Sequence, residues 1–227
     1  MGDIMCGRFT LRTPASRVAD LFSVLIEEPW QPRYNIAPTQ WIPAVRCQGP
    51  NRQLCSLHWG LIPRWAEERR VGASMINARA ETVAEKPAFR HAFRRKRCLI
   101  PGDGFYEWQR IDSKTKVPYL FELQDESPFA FAGLWEHWKS SEGEVIESCS
   151  IITTAANSLV ESVHDRMPVI LSPQYFDEWL DPEFSDVDRL MPMLAPFAAS
   201  KMKATQVSNI INNARNEINP LIATPNK

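Results

Sequence analysis

Near the start of the chain, apolar residues repeat with a helical period. Val18, Leu21, Phe22 and Leu25 fall at i, i+3, i+4 and i+7, the spacing that lines one face of an α-helix. Thr13-Pro14 just ahead supplies an N-cap and a proline at the first helical position. Short strand-like apolar runs follow at 54–59, 98–100, 105–108, 119–123, 129–134 and 148–153, most of them punctuated by Gly or Pro. Further helices are expected at 86–95, 156–163 and 173–180. Strands without regular helical crossovers predict an α+β fold with a mostly antiparallel sheet.

Composition narrows the picture. The 227 residues are 44% hydrophobic, enough for one large core. No Gly/Ser-rich linker, low-complexity tract or internal repeat divides them, so a single domain is expected. The formal net charge of -1 excludes a globally basic nucleic-acid binder; any basic surface must be local. No secretory leader or membrane-spanning apolar run is present, and a soluble intracellular protein is expected. Five scattered cysteines (Cys6, Cys47, Cys55, Cys98, Cys149) form no C-x-x-C pair, which points to neither a zinc site nor a disulfide scaffold. Cys55 and His58 make one metal-like pair, weak by itself. Cys47, Cys98 and Cys149 read as buried thiols.

Several segments can carry chemistry. In 76–82 the residues alternate, so a strand would put Asn77, Arg79 and Glu81 on one face; a half-solvated edge strand explains the same pattern. Glu107 lies between Tyr106 and Trp108, where desolvation would raise its pKa and suit it to proton transfer. A glutamate on a solvent face is the equally weighted alternative. His164 is followed by Asp-Arg-Met-Pro at an element boundary, although a lone histidine is usually structural. The run 90–97 (Arg-His-Ala-Phe-Arg-Arg-Lys-Arg) has no acidic residue. It reads first as a solvated helix face and second as a phosphate-tracking surface. Of eight tryptophans, most belong in a core, but Trp65 beside Arg64 on a Gly/Pro loop is what stacking on an unpaired base requires.

In order along the chain stand Met5-Cys-Gly-Arg-Phe, Arg33-Tyr-Asn-Ile-Ala-Pro38, Trp59-Gly-Leu-Ile-Pro-Arg-Trp65, Ile76-Asn-Ala-Arg-Ala-Glu-Thr82, Pro101-Gly-Asp-Gly-Phe-Tyr-Glu-Trp108, Phe131-Ala-Gly-Leu-Trp135 and His164-Asp-Arg-Met-Pro168. Val207-Ser-Asn-Ile-Ile-Asn-Asn213 adds an eighth segment. This ordered set resembles the SOS-response-associated peptidase family, the abasic-site processing proteins. The resemblance implies a single α+β domain with a twisted, barrel-like sheet and a positively charged groove. It implies covalent capture of abasic sites in single-stranded DNA by an N-terminal cysteine, with no metal or cofactor. By position that cysteine is Cys6, with Asn77, Glu107 and His164 as its catalytic partners. Arg8, Arg79 and Arg166 would lie on DNA phosphates, with Pro38 and Trp65 near the displaced base.

The chemistry demands a free Cys6 amine. An amine near pKa ~7.7–8.0 is partly neutral at cellular pH and can form an imine with the aldehyde of an opened abasic sugar. The thiol of the same residue then closes a thiazolidine with a large effective molarity. Residues 1–5 are therefore expected to be absent from the active chain, leaving 6–227 as the domain. Translation from Met5 is the favoured route, and self-cleavage is another. A monomer on cytoplasmic or nucleoid DNA, or nuclear DNA in a eukaryote, is expected. Two other classes remain: an N-terminal-nucleophile hydrolase, whose thiol attacks an amide, and a non-covalent single-strand binder.

Overall fold

The computed structural model describes residues 6–26, 30–49 and 51–221; the expected leader at 1–5 lies outside them. Strands β1 (Phe9–Leu11), β2 (Arg33–Ile36), β3 (Trp41–Gln48), β4 (Asn51–Trp59) and β5 (Asn77–Arg79) fill the first third. Then follow β6 (Arg97–Gly102), β7 (Gly104–Arg110), β8 (Lys116–Leu123), β9 (Phe129–Lys139) and β10 (Val145–Ala155). The short β11 (Arg166–Pro168), β12 (Ile170–Leu171) and β13 (Met202–Gln206) complete the set. Helices are few and short: α1 (Ala15–Phe22), α2 (Arg90–Arg95), α3 (Phe176–Leu180) and α4 (Val187–Leu190).

The long hairpins make the architecture. Strands β10, β4, β3, β6 and β9 pair in that order, and β9 pairs back onto β10, closing a barrel. A second sheet runs β13-β8-β7-β1-β2. The α+β class and barrel-like sheet are as expected. The pairing is antiparallel except where β10 lies parallel to β4 (Ser148↔His58) and to β5 (Ile151↔Asn77). Phe9 sits between the two layers, edge-on to Trp59 at 5.3 Å and to Phe131 at 5.5 Å. Phe105 and Phe121 stack behind it at 5.1 Å. These rings contribute large apolar area and preferred ring geometry together. They seat β1 firmly just after Cys6.

Four element boundaries correct the sequence reading. Helix α1 stops at Phe22, where Ser23 takes a left-handed φ of 53° and caps it, so Leu25 is 93% exposed. Pro14, not Thr13, holds the N-cap position. The Thr13 hydroxyl instead donates to Asp103 Oδ2 at 2.8 Å. The expected helix at 156–163 is only a 3₁₀ turn, Val160–Ser162, because Asn157 Oδ1 accepts from Leu159 and Val160 N–H and starts a turn instead. In 76–82 the strand covers Asn77–Arg79 alone, and Ala80–Thr82 curls into a second 3₁₀ turn.

The remaining features mostly follow the sequence. Helix α2 is shorter than 86–95, beginning at Arg90; α3 continues a 3₁₀ turn at Pro173–Tyr175 and matches 173–180. Trp59, Trp138 and Trp179 are buried, Trp30, Trp108 and Trp135 pack half-buried, and Trp41 and Trp65 are exposed. Cys98 and Cys149 are buried, whereas Cys47 is only partly so. Within the basic run, Arg97 turns inward and donates to the carbonyls of Phe93, Arg94, Trp179, Asp181 and Phe184. Burial lowers its pKa to about 10, so its guanidinium is an internal tie rather than a surface charge. Arg90, His91, Arg94 and Arg95 face solvent.

Candidate active site

Strand register builds the site. Strand β1 pairs with β7 at Phe9↔Phe105 and Thr10↔Gly104, and Tyr106 N–H donates to Arg8 O at 3.0 Å. Continuing that antiparallel register two residues outward brings the chain before Arg8 alongside Glu107. There Cys6 adopts φ 45°, a left-handed conformation uncommon for a residue with a Cβ. The turn aims its backbone nitrogen at the carboxylate: Cys6 N donates to Glu107 Oε1 at 2.7 Å.

The frame beneath is braced by Asp103. Its carboxylate accepts from Thr10 Oγ1 (2.6 Å), Arg12 Nε (3.1 Å), Thr13 N (2.7 Å) and Thr13 Oγ1 (2.8 Å). Arg12 also bridges to Glu122 on β8. Asp103 and Glu122 are both buried, so each charge is compensated within one network. That network locks β1 in register on β7 and hence Cys6 on Glu107.

Electrostatics mark the pair as unusual. Glu107 is 2% exposed. Burial pushes its pKa above the usual carboxylate range, while the charge of nearby His164 and the bonds from Cys6 oppose the rise. Burial also pushes the Cys6 thiol up, and the Glu107 carboxylate pushes it further. Both groups therefore hold protons more tightly than they would in water. The sequence expectation of a desolvated Glu107 is met, and the solvent-face alternative is not.

His164 follows the Val160–Ser162 turn, with its N–H on Val160 O at 2.9 Å. Its Nδ1 lies 3.1 Å from Arg166 N and 3.0 Å from Asp165 Oδ1. A backbone N–H only donates, so the neutral ring accepts there and carries its proton on Nε2. The protonated ring can turn the same Nδ1–H toward Asp165.

Strand β10 carries the rest. Asn77 and Arg79 on β5 pair with its Ile151 and Thr153, and Arg166 on β11 pairs with its Ala155. Arg166 donates through both terminal nitrogens to Glu81 and also to Thr153 O at 2.8 Å. Arg79 is exposed. Arg8 donates to Asn35 Oδ1 (2.8 Å) and Ile211 O (2.7 Å) and lies over the Trp108 ring at 5.9 Å. Pro38 sits on the loop from β2 into β3 and Trp65 on the loop that leaves β4, and the two meet where Thr39 N–H donates to Trp59 O at 2.8 Å. The Trp65 loop depends on a close backbone approach. A Cβ on Gly60, at φ 134°, would come 2.7 Å from Gly72 O. Trp65 is 59% exposed, and Ile62 N–H ties its loop to Ser148 Oγ at 2.8 Å.

A cleft of about 820 Å³ opens onto Glu107 and His164. Its lining includes Asn209, Asn212, Arg110, Lys114 and Lys116. None of these five was singled out as a site residue from sequence. Their only early signal was the 207–213 segment that joined the family pattern. Among the described residues no cluster of three metal-ligating side chains forms and no helix is long and apolar enough to cross a membrane.

Comparison with known proteins gives the geometry its context. The family model described as SOS response associated peptidase (SRAP) matches residues 5–214. The chain belongs to the SRAP family. Among SRAP relatives, it is 47% identical over 221 residues to the Bacillus subtilis "Abasic site processing protein YoqW", covering 96% of this chain and 99% of that one. It is 46% identical over 225 residues to the B. subtilis "Abasic site processing protein YoaM", covering 98% and 99%. A crystal structure of a protein from Bacteroides thetaiotaomicron superposes with a TM-score of 0.85 at 28% identity, covering 98% of this chain and all of that one. The family match and the structural match together span nearly all of the chain.

Proposed function

We propose that this protein captures abasic sites in single-stranded DNA covalently, with Cys6 as the first residue of the active chain. One observation carries the reading: the Cys6 nitrogen sits 2.7 Å from a carboxylate buried beside His164. The names of its SRAP relatives, abasic site processing proteins, point the same way.

Opened abasic sugars present an aldehyde. With Cys6 terminal, its nitrogen is an α-ammonium, and Glu107 accepts one proton from it. The neutral amine attacks the carbonyl carbon, and the carbonyl oxygen takes up a proton from Glu107 to give a carbinolamine. The second nitrogen proton, passed through Glu107, leaves with that oxygen as water and gives an iminium; Glu107, again a carboxylate, takes the thiol proton as the sulfur adds to close the thiazolidine. The balance is aldehyde plus aminothiol giving thiazolidine plus one water.

Other residues take supporting parts in this reading. His164 would deliver a proton to the ring oxygen as the sugar opens, and would assist the reverse reaction. Asn77 would hydrogen-bond the opened sugar. Arg8, Arg79 and Arg166 would face phosphates, Arg166 by exchanging Glu81 for one. Trp65 and Pro38 would pack at the displaced base. If the chain removes its own leader, the nitrogen on Glu107 is the leaving amine and the carboxyl its proton donor. The reading needs no metal or cofactor, and one copy suffices.

The test is intact mass followed by adduct formation. A purified chain starting at Cys6 should give a protein–DNA band that survives boiling in denaturant, and Cys6→Ala or amine acetylation should abolish it. A chain that retains residue 5 yet forms the same adduct refutes the thiazolidine. A processed chain that binds but never cross-links is a non-covalent binder, and ammonia release from glutamine would mark a hydrolase.

A further inference from the structure

Asn212 lines the cleft beside Glu107 and His164, and the backbone around it is held on both sides. Asn35, buried on β2, donates through Nδ2 to Ile211 O at 3.1 Å and to Asn213 O at 3.0 Å. Its Oδ1 accepts from Arg8 Nη1 at 2.8 Å, and that nitrogen also donates to Ile211 O at 2.7 Å. Arg8 Nη2 reaches Asn212 O at 3.4 Å. The β1–β2 register shifts between Phe9↔Ile36 and Leu11↔Arg33, which leaves Tyr34 and Asn35 opposite Thr10 alone. Such a bulge re-aims a side chain, and here Asn35 becomes the brace.

The side chain of Asn212 is fixed as well. Trp108 Nε1 donates to its Oδ1 at 2.8 Å. An indole N–H only donates, so the amide oxygen must face Trp108 and the amide nitrogen must face away from it. Asn212 is exposed, and among the described residues nothing accepts from its Nδ2. Ordering an exposed side chain costs rotamer entropy. An amide pinned at its oxygen, with its nitrogen left open, is a preorganised donor. Being neutral, it suits a carbonyl or hydroxyl oxygen and brings no counter-charge for a phosphate.

We infer that Asn212 is a substrate-contact residue: its Nδ2 donates to the oxygen on C1 of the abasic sugar. That atom is the hydroxyl of the closed hemiacetal and the carbonyl oxygen of the opened aldehyde. This role rests on the capture reading and adds to it a donor aimed at the reacting carbonyl. In the aldehyde the hydrogen bond draws electron density onto oxygen and leaves C1 more electrophilic, as a positioned donor does wherever charge develops on oxygen. No proton leaves the amide. The Cys6 nitrogen bonds to C1, the carbonyl π pair moves onto oxygen, and Glu107 supplies the proton to that oxygen.

The test uses the full chain processed to Cys6 and three single-stranded oligonucleotides that differ at one residue. A tetrahydrofuran residue has no oxygen on C1. A borohydride-reduced abasic residue keeps that oxygen as an alcohol but cannot react, and a true abasic residue can. Asn212→Ala should bind the tetrahydrofuran strand like the parent. It should bind the reduced strand about two- to tenfold more weakly, the range of one net hydrogen bond, and capture the true site about tenfold more slowly. Trp108→Phe keeps a ring beside Arg8 and removes the N–H that orients the amide. It should weaken binding of the reduced strand when Asn212 is present and add nothing in Asn212→Ala. If Asn212→Ala does not fold, Trp108→Phe alone decides by the same comparison of strands. Equal losses on the tetrahydrofuran and reduced strands, no loss on the reduced strand, or additive effects of the two substitutions overturn the assignment. Heat-stable adduct formation by the parent is scored separately. Its absence defeats the capture reading, while the ratio of the reduced to the tetrahydrofuran affinity still decides Asn212.

Discussion

Replacing Glu107 by Gln keeps the shape of the side chain and removes its charge and basicity. Three magnitudes bear on the outcome. At 2.7 Å from Cys6 N, the carboxylate makes a contact in the charge-assisted range. At pH 7 an α-amine of pKa ~7.7–8.0 is only about a tenth to a sixth neutral, so lost deprotonation alone costs roughly six- to tenfold. General acid–base catalysis contributes ~10²–10⁴-fold, or about 3–5 kcal/mol of barrier. The remainder falls on proton delivery to the carbinolamine oxygen. Capture by Glu107→Gln should therefore be about 10²-fold slower at pH 7, at the low end of that range. The deficit should shrink about tenfold by pH 9, where the amine is neutral unaided.

Stability should move the other way. Burial raises the folded-state pKa of Glu107 above its unfolded value, so the native state binds this proton more tightly than the unfolded chain does. Its contribution is most favourable below the ordinary glutamate pKa and declines as pH rises to the raised value. Above that window a buried charge is a cost that Gln does not carry. The melting temperature of Glu107→Gln should therefore match or exceed the parent at pH 8 and fall relative to it at pH 4. Single-turnover adduct formation from pH 6 to 9 checks the rate, and thermal melts check the stability. A rate ratio constant across pH, or a parent-like rate at pH 7, would refute the proton-transfer assignment.

His164→Ala should slow adduct formation less than Glu107→Gln does, and should markedly slow reversal. A chase of the preformed adduct with excess competing abasic DNA reads this, and release as fast as the parent's removes the role. Asp103→Ala should destabilise the fold by about 3–5 kcal/mol, the usual cost of stripping one partner from a buried charged network. Denaturant unfolding measures it; a loss below 1 kcal/mol would show that Asp103 does not hold β1 on β7.

Some of this protein was legible in one dimension because the signals are local. Alternation and Gly/Pro punctuation located most of the long strands, and the same short-range pattern implied an α+β class. The burial of Glu107 was only half legible, because its aromatic neighbours on a strand point to the opposite face and left a solvent-facing glutamate equally open. The ordered motifs carried the family. The short strands β1, β2, β11, β12 and β13 escaped because so few residues carry no period; long-range pairing makes them strands. The end of α1 escaped because Ser23 takes a left-handed turn that its residue type does not announce.

Tertiary structure alone decided who meets whom. Cys6 and Glu107 are 101 residues apart, and only the register of β1 on β7, locked by Asp103, puts nitrogen against carboxylate. Arg97 looked like part of a basic surface, yet its donors close five backbone carbonyls inside the fold, because a guanidinium fork can satisfy several acceptors that no nearby residue reaches. Arg166 and Glu81, 85 residues apart, pair across β10. Arg110 and Lys116 line the same cleft as Glu107, a neighbourhood that only the folded chain sets. Residue type sets what a side chain can do, and chain closure over a hundred residues sets what it does it to.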